Sequence, residues 1–509
     1  MNIIDQKKEK IKGKCETFDR IIINGYLKDL ISVKGFGYYL HKNNIQLKNF
    51  KTFSEKETRE LCSNIDEYIK NQGVELTYLN SFDIDKDKEA NKIFSNNPDK
   101  IGLIAAFSVV ELCKSTTVVA NHNTKQLEVA HRSTKCKHYY LYYNDKEFGW
   151  MFIKIQTWFP YNIQIYINGH EVLAKLLDKN NIKYTMYNNS FSDIEDFNKA
   201  QELADNILNQ KLSASFDGMV KQINCHLPKI KDILSCDYYW CIDQCEFATD
   251  ITFKSREDLI FFKKLVETSF YTFTSEDIYS FYGRNIKDIK KFKGEITSNL
   301  KNRYQGYRIK FKMNKNQVKM YDKGNNLRIE VTINNPREFK VPKEIEKIVD
   351  NEIVKEMKWC AMGKSITNLY RYAEISRNII KRVIEALPEI DNDTVPLKEI
   401  EKISERIEIN GRIYSSFNIL SKETLLLFSV IGNGNYLING FTNKSIRGSL
   451  SIDNDSKRGI NKLTRTLAKL KAHGIIKKVA HKNKYYLTVD GRKIINSVLI
   501  YAKKDLLNQ

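Results

Sequence analysis

The sequence predicts a multi-domain α+β protein in which mixed and antiparallel sheets are flanked by helices. The chain has 509 residues, which exceeds what one hydrophobic core usually organises. Hydrophobic residues make up 42% of it and aromatic residues 11%, enough to exclude a disordered chain. Runs rich in aromatic and β-branched residues alternate with runs of helical periodicity.

This alternation divides the chain into four predicted segments. Residues 1–136 form an N-terminal α/β region and residues 137–386 a central β-rich α+β domain. Residues 387–420 form a connector, because two prolines and an acidic cluster occur in its first part. Residues 421–509 form a basic C-terminal module.

In the first half of the chain, local patterns predict both helices and strands. The stretch up to about Asn80 has helical spacing broken by glycine turns. The run IGLIAAFSVVEL, which starts at Ile101, is typical of a buried strand. Residues 137–168 are dense in aromatic and β-branched residues and predict strands, with a turn at DKEFG.

Helical and strand patterns also alternate in the second half of the chain. Residues 193–234 are predicted to be largely helical because of runs such as FNKAQELADNIL. A second β-rich block starts at Asp237 and includes two helical stretches. Helices are expected to resume near Lys343 and to continue to about Leu387.

Charge is concentrated at the C-terminal end. The whole chain has 83 lysines and arginines against 62 acidic residues, a net charge of +21. Residues 421–509 contain 17 basic and 5 acidic residues, a net charge of +12. More than half of the excess therefore lies in about a sixth of the chain, which indicates a module with a polyanionic partner.

Composition favours a cytoplasmic protein without a membrane partner. The N-terminal sequence has no apolar signal-peptide core, and the longest apolar run, around Ile101 to Val110, is too short to span a bilayer. Nine scattered cysteines are typical of a reducing compartment and not of a disulfide framework.

The C-terminal module is predicted from one amphipathic helix, SKRGINKLTRTLAKLKAHG. Ser456 suits the N-cap of this helix and Gly474 its C-terminal cap. Two different stripes run along it, one apolar and one basic. The apolar stripe consists of Ile460, Leu463, Leu467 and Leu470, and the basic stripe of Arg458, Lys462, Arg465 and Lys469.

Two shorter helices precede this helix, and two strands around a basic turn follow it, before a last helix from Gly491. The basic residues of the strands and turn are Lys477, Lys478, Lys482 and Lys484. This order resembles the winged-helix family of DNA-binding domains, whose third helix enters the major groove. The resemblance implies nucleic-acid binding, with DNA favoured over RNA, and leaves RNA binding and protein docking open as alternatives.

A charged hairpin is predicted in the central domain. Strand alternation places Tyr321 and Lys323 on one face of the first strand, and Arg328 and Glu330 on one face of the second. A two-residue loop at Asn325 and Asn326 suits a type I′ turn. That register pairs Lys323 with Arg328 and Tyr321 with Glu330.

An acidic strand upstream adds candidate metal ligands. Glu246 and Asp250 share a strand face with the small residue Ala248 between them. Carboxylates arranged in this way can hold Mg²⁺ or Mn²⁺. A metal ion beside a tyrosine with neighbouring lysines is what phosphodiester transesterification requires.

These pieces, in this order, resemble rolling-circle replication initiators of the small-plasmid type. The matching stretches are Glu246 to Asp250, Tyr321 to Lys323, and Arg328 to Glu330. The resemblance implies a DNA nicking enzyme of a mobile element, with Tyr321 as nucleophile and Glu246, Asp250 and Glu330 near the metal ion. The His-hydrophobic-His pair of that family is absent from the sequence.

Two alternatives to a nicking enzyme remain. The charged hairpin can be an ordinary set of cross-strand pairs. The protein can also be a non-catalytic DNA- or RNA-binding protein, either a regulator or a partner of a structured or guide RNA.

A zinc site is the weaker of two interpretations of the cysteines. Cys236, Cys241 and Cys245 lie close together, and Cys136 and His138 are available to complete a site. Their spacing is not that of a zinc motif, so buried thiols are favoured.

Overall fold

The structure is a computed structural model that describes most of the chain. The described residues are 8–80, 84–187, 189–207, 212–260, 273–303, 306–323, 326–349, 352–387, 400, 402–419, 421–432, 436, 440–453, 456–479 and 482–507. The main domain boundary predicted at residues 387–399 falls almost entirely outside them.

The strands of the described part are labelled in chain order. They are β1 (Ile11–Tyr26), β2 (Leu76–Tyr78), β3 (Gly102–Asn121), β4 (Gln126–Asp145), β5 (Gly149–Gln156), β6 (Ile163–Asn168), β7 (Tyr184–Met186), β8 (Phe191–Ile194), β9 (Tyr239–Phe253), β10 (Ile296–Arg303), β11 (Gly306–Met313), β12 (Asn316–Lys323), β13 (Asn326–Ile333), β14 (Lys340–Val349), β15 (Glu352–Ala361), β16 (Ile407–Ile409), β17 (Arg412–Tyr414), β18 (Ile476–Lys478) and β19 (Tyr485–Leu487).

The α-helices of the described part are labelled in the same way. They are α1 (Lys28–Ile31), α2 (Val33–Lys42), α3 (Phe50–Asn71), α4 (Lys86–Asn96), α5 (Gly169–Lys179), α6 (Phe197–Asn206), α7 (Leu212–Ile223), α8 (Leu227–Leu234), α9 (Ser275–Phe281), α10 (Leu369–Ala386), α11 (Lys422–Ile431), α12 (Asn443–Ile446), α13 (Lys457–Ala472) and α14 (Val489–Leu507).

The chain forms two compact units, each built from separated stretches of sequence. The N-terminal unit contains Cys15–Phe247 and Ile333–Glu374. The C-terminal unit contains Met1–Lys14, Ala248–Thr332 and Ile375–Gln509. The four consecutive domains predicted from the sequence stay a prediction.

The N-terminal unit is organised around a large mixed sheet with the strand order β1-β6-β5-β4-β3-β2. Neighbouring strands are antiparallel except for β2 and β3, which are parallel. The predicted turn at DKEFG is confirmed, because Asp145 at the end of β4 pairs with Gly149 at the start of β5. Gly149 has a φ of +66°, which a glycine adopts without strain.

Helices flank both faces of this sheet, as the sequence predicts for the fold class. Tyr139 and Tyr140 are neighbours on β4, so their side chains point to opposite faces. The Tyr139 hydroxyl donates to Asp66 of α3 at 2.7 Å. On the other face, Tyr142 donates to Asp87 of α4 at 2.6 Å, and Ala90 of α4 is fully buried.

The C-terminal unit contains the strand order β10-β11-β12-β13-β9. Strands β10 to β13 form an antiparallel meander. Its apolar face is buried, whereas its other face is polar and charged. The buried side chains include Ile309, Phe311, Met313, Val318, Met320, Ile329 and Val331.

Two predicted helical regions are strands in the structure. The N-terminal stretch contains β1, because the consecutive residues Ile21, Ile22 and Ile23 are β-branched and lose side-chain freedom in a helix. The strands β14 (Lys340–Val349) and β15 (Glu352–Ala361) pair as a hairpin where helices were expected. The lysines and glutamates of this region suit both a helix and a hairpin. In the hairpin they form ion pairs across the two strands, as Lys355 does with Glu344 at 2.8 Å.

Within the described ranges, no helix is both long enough and apolar enough to cross a membrane.

Candidate nucleic-acid interface

The helix α13 forms where the sequence predicts it, with a cap at each end. The Ser456 side chain accepts a hydrogen bond from the Gly459 amide at 3.2 Å. At the other end, the Ile475 amide donates to the Leu470 carbonyl at 3.0 Å and the Gly474 amide donates to the Lys471 carbonyl at 3.1 Å. These two bonds form a Schellman motif, in which Gly474 has a φ of +71°.

The two stripes of α13 lie in different environments. Leu463, Leu467 and Leu470 are buried and pack in one core cluster with Phe428 of α11 and Ile495 of α14. Burial of each leucine contributes roughly 2 kcal/mol. On the other side, Arg458, Lys462 and Arg465 are exposed. The amphipathic pattern therefore determines which face of the helix is buried and which is exposed.

A cleft of about 590 Å³ lies between the basic stripe of α13 and the short hairpin β16–β17. The hairpin contributes Arg412 and Tyr414, and the Arg412 guanidinium lies 5.3 Å from the Tyr414 ring centroid. Arg412 is not predicted from the sequence to belong to this surface, because it precedes Arg458 by 46 residues. The cations that line the cleft are Arg412, Arg458, Lys462, Arg465 and Lys469.

Two of these cations have partners within the C-terminal unit. The Lys469 ammonium donates to the Ser416 carbonyl at 2.6 Å and lies 3.8 Å from the Phe417 ring centroid. Burial lowers the pKa of Lys469. Lys462 forms an exposed ion pair with Glu423 at 3.1 Å, which solvent and salt weaken. Lys462 is thus easily released to another anion, whereas Lys469 is held.

The predicted strand pair after α13 is confirmed as β18–β19, with Ile476 paired to Leu487 and Lys478 to Tyr485. Lys477, Lys478 and Lys482 are exposed, and Lys484 is half-buried. These side chains extend the basic surface of the module beyond α13.

The charged central hairpin forms in a different register from the predicted one. Tyr321 pairs with Arg328 and not with Glu330, and Lys323 pairs with Asn326 and not with Arg328. The two residues that connect the strands are then 324 and 325, which lie outside the described residues. Because the register moves by two positions, the predicted faces are retained.

The predicted metal ligands of the C-terminal unit are buried and already paired with cations. Asp250 and Glu330 are 2% and 4% exposed. Arg328, which is 1% exposed, lies 3.6 Å from the Asp250 carboxylate and 3.7 Å from that of Glu330. Lys319 donates to Glu330 at 2.5 Å. A cation at Asp250 or Glu330 would have to displace these charged groups.

Glu246, the third predicted ligand, belongs to the N-terminal unit. It is 8% exposed, and its carboxylate accepts a hydrogen bond from Gln244 at 3.2 Å. Its oxygen atoms are of the kind that Mg²⁺ and Mn²⁺ prefer.

The polar face of the meander β10–β13 carries a cluster of cations beside Tyr321. Arg308 pairs with Tyr321 and Lys310 with Lys319 across strands β11 and β12. Burial lowers the pKa of Lys310, and the positive charges of its neighbours lower it further. The Arg308 Nε–H group is buried without a hydrogen-bond partner. The neighbouring cations are Arg308, Lys312, Lys319 and Lys301.

Comparison with known proteins identifies no relative: the chain matches no protein family, no curated protein and no solved structure.

Proposed function

We propose that the protein binds nucleic acid, DNA more strongly than RNA, through a winged helix formed by residues 421–509. In this proposal α13 is the helix that contacts the nucleic acid. The observation that carries the proposal is the group of five cations around one cleft on the exposed side of α13. Phosphate groups are the natural partners of such a cluster, and guanidinium groups bind them with two parallel hydrogen bonds.

The element order of the module supports this assignment. Helices α11, α12 and α13 are followed by the strand pair β18–β19 and by α14. In winged helices the third helix and the wing both contact DNA. Exposed Lys477, Lys478 and Lys482 would make the wing contacts.

The dependence of binding on salt tests this proposal. Each phosphate contact contributes about 0.9 to the slope of log K against log salt concentration for duplex DNA. Replacement of Arg458, Lys462, Arg465 and Lys469 with glutamine should therefore flatten the slope by up to about 3.6. The measurement is a fluorescence anisotropy titration at several salt concentrations, with duplex DNA, single-stranded DNA and RNA in parallel.

A second variant controls for net charge. Lys51, Lys56, Lys88 and Lys92 are exposed residues of the N-terminal unit, and their replacement with glutamine removes the same charge. We expect the slope of this control to equal that of the wild type. Equal flattening in both variants would mean that the slope reports net charge and not a site on α13.

We propose as a second candidate that the protein nicks DNA, with Tyr321 as the nucleophile. The observation that favours it is the position of Tyr321 between Arg308 on one neighbouring strand and Arg328 on the other. The tyrosine oxygen would form a bond to the phosphorus, and the 3′ oxygen of the cleaved strand would leave. Arg308, Lys310 and Lys323 would stabilise the charge that develops on the phosphate.

Incubation with supercoiled and single-stranded DNA tests the nicking candidate. We expect the wild type to relax supercoiled DNA and to form a covalent protein–DNA adduct. Tyr321→Phe should abolish both, and Tyr38→Phe, at an exposed tyrosine of α2 in the N-terminal unit, should retain both. Parallel reactions with Mg²⁺, Mn²⁺ or a chelator show whether the reaction requires a metal ion. A wild type that makes no nick excludes the candidate, and a Tyr321→Phe variant that forms the adduct excludes the role of Tyr321.

A further inference from the structure

Strands β3 and β4 form a long hairpin in the N-terminal unit. A polar cluster lies on this hairpin near the point where β4 stops pairing with β5. Strands β3 and β4 each contain 20 residues. Strand β5 pairs with β4 only from His138 to Asp145. Residues 126–137 of β4 therefore extend beyond that pairing. The cluster lies where this extension begins.

Two cysteines and a histidine converge at this point. Cys113 on β3 pairs with Thr134, and Cys136 on β4 pairs with Glu111, so the cysteines occupy diagonal positions on one face. Their sulfur atoms are 3.0 Å apart. His138 lies two residues further on the same face, with its Nδ1 atom 3.8 Å from the Cys136 sulfur. Cys113 is 8% exposed and His138 is 3% exposed.

The surroundings of the two thiols are polar, which distinguishes them from cysteines in a hydrophobic core. The Thr134 hydroxyl lies 3.7 Å from the Cys113 sulfur and donates a hydrogen bond to the Ser115 hydroxyl at 2.9 Å. The His138 Nδ1 atom is also 3.1 Å from the Cys136 carbonyl oxygen. Because Nδ1 is the ring nitrogen beside the Cys136 sulfur, it would bind a metal ion in its unprotonated form, and the metal ion would replace this contact with the carbonyl.

The diagonal arrangement suits a shared metal ion better than a disulfide. Diagonal residues of neighbouring antiparallel strands have Cα atoms about 7–8 Å apart. A disulfide requires a Cα separation of about 4.4–6.8 Å, so its formation would move the backbone. A tetrahedral zinc ion with Zn–S bonds of about 2.3 Å places its two sulfur ligands about 3.8 Å apart. The two sulfur atoms, now 3.0 Å apart, would have to separate by about 0.8 Å to bind the ion.

We propose that Cys113, Cys136 and His138 bind one Zn²⁺ ion, with water as the fourth ligand. Each thiol loses its proton to solvent when its sulfur binds the metal, and no electron is transferred. Two thiolates balance the charge of Zn²⁺, so the buried site is neutral. The ion would join β3 to β4 at the base of the hairpin extension and hold the two strands in register.

Cobalt titration of the full chain, purified without metal and kept reduced, tests the site. Co²⁺ replaces Zn²⁺ in such sites and reports thiolate ligands through charge-transfer absorption in the near ultraviolet. We expect about one Co²⁺ ion per chain in tetrahedral geometry, displaced by Zn²⁺. Cys113→Ser and Cys136→Ser should lose the absorption. Cys225→Ser and Cys360→Ser, at cysteines outside the cluster, should keep it.

A second measurement needs no variant and so does not depend on whether the serine variants fold. Zn²⁺ should slow the alkylation of Cys113 and Cys136 in the wild type, as followed by peptide mass spectrometry, and leave the alkylation of Cys225 unchanged. The proposal is overturned if the wild type binds no stoichiometric Co²⁺ and Zn²⁺ protects neither cysteine. It is also overturned if folded Cys113→Ser and Cys136→Ser chains give the wild-type absorption.

Discussion

Arg328 is among the largest fully buried side chains of the described residues, and it lies between two buried carboxylates on neighbouring strands. A buried guanidinium is tolerated only where anions compensate its charge. The sequence indicates the charged face that contains Arg328, because alternation along a strand is a local property. It does not indicate the partners, because they depend on the register of the hairpin and on Asp250, 78 residues earlier.

We predict that Arg328→Met lowers the free energy of unfolding by about 3–5 kcal/mol. The substitution removes the guanidinium beside two buried carboxylates. Glu330 keeps its ion pair with Lys319, whereas Asp250 loses the guanidinium. Urea denaturation followed by circular dichroism measures the change. If the carboxylates accept a divalent cation once the guanidinium is gone, Mg²⁺ should raise the denaturation midpoint of this variant and not that of the wild type.

Arg308→Met is the matched control for this substitution, because Arg308 lies on the same sheet face but is only half-buried. Its side chain donates to Asn299 at 3.3 Å and contacts no carboxylate among the described residues. We expect a loss of about 1 kcal/mol or less. Losses of equal size in both variants would show that burial of the arginine stem, and not charge compensation, determines the effect.

Among the elements, α13 is the one that the sequence predicts most completely. Its boundaries, both caps and three residues of its apolar stripe agree with the structure, because each depends on residues within one or two helical turns. Ile460, the fourth residue of that stripe, is only half-buried. The hairpin β14–β15 shows the opposite case. Its lysines and glutamates have spacings that suit a helix and a hairpin equally. The pairing of β14 with β15 along their whole length decides between the two structures.

We predict that Gly474→Ala lowers the free energy of unfolding by roughly 1–2 kcal/mol, because an L-residue is strained at a φ of +71°. A Cβ atom at this position would have no heavy atom within 4 Å, so steric overlap is not a factor. Thermal denaturation measures the change.

Gly448→Ala isolates the effect of backbone conformation. A Cβ atom at Gly448 would also meet open space, but the φ of this residue does not lie in the left-handed region. We expect this substitution to be neutral or to stabilise the protein by up to about 1 kcal/mol. The explanation for Gly474 fails if the two variants lose the same stability.

At the scale of the whole molecule, composition predicts the fold class and the concentration of charge but not which distant residues meet. Each compact unit combines stretches that are far apart in sequence. The sequence does not indicate that Cys113 lies beside Cys136, because the two meet only through the pairing of β3 with β4. Arg412 is not predicted for the same reason, since the cleft beside α13 exists only in the folded C-terminal unit.

The hairpin β16–β17 has a steric consequence for the basic helix beside it. The segment that follows the hairpin is attached to α13, since Ser416 binds Lys469 and the Ser415 carbonyl lies 3.1 Å from His473. A major groove about 12 Å wide admits one helix. If α13 enters such a groove, the hairpin must either share the opening or detach first. Detachment would make recognition a two-step process, with a slow rearrangement after a fast electrostatic encounter.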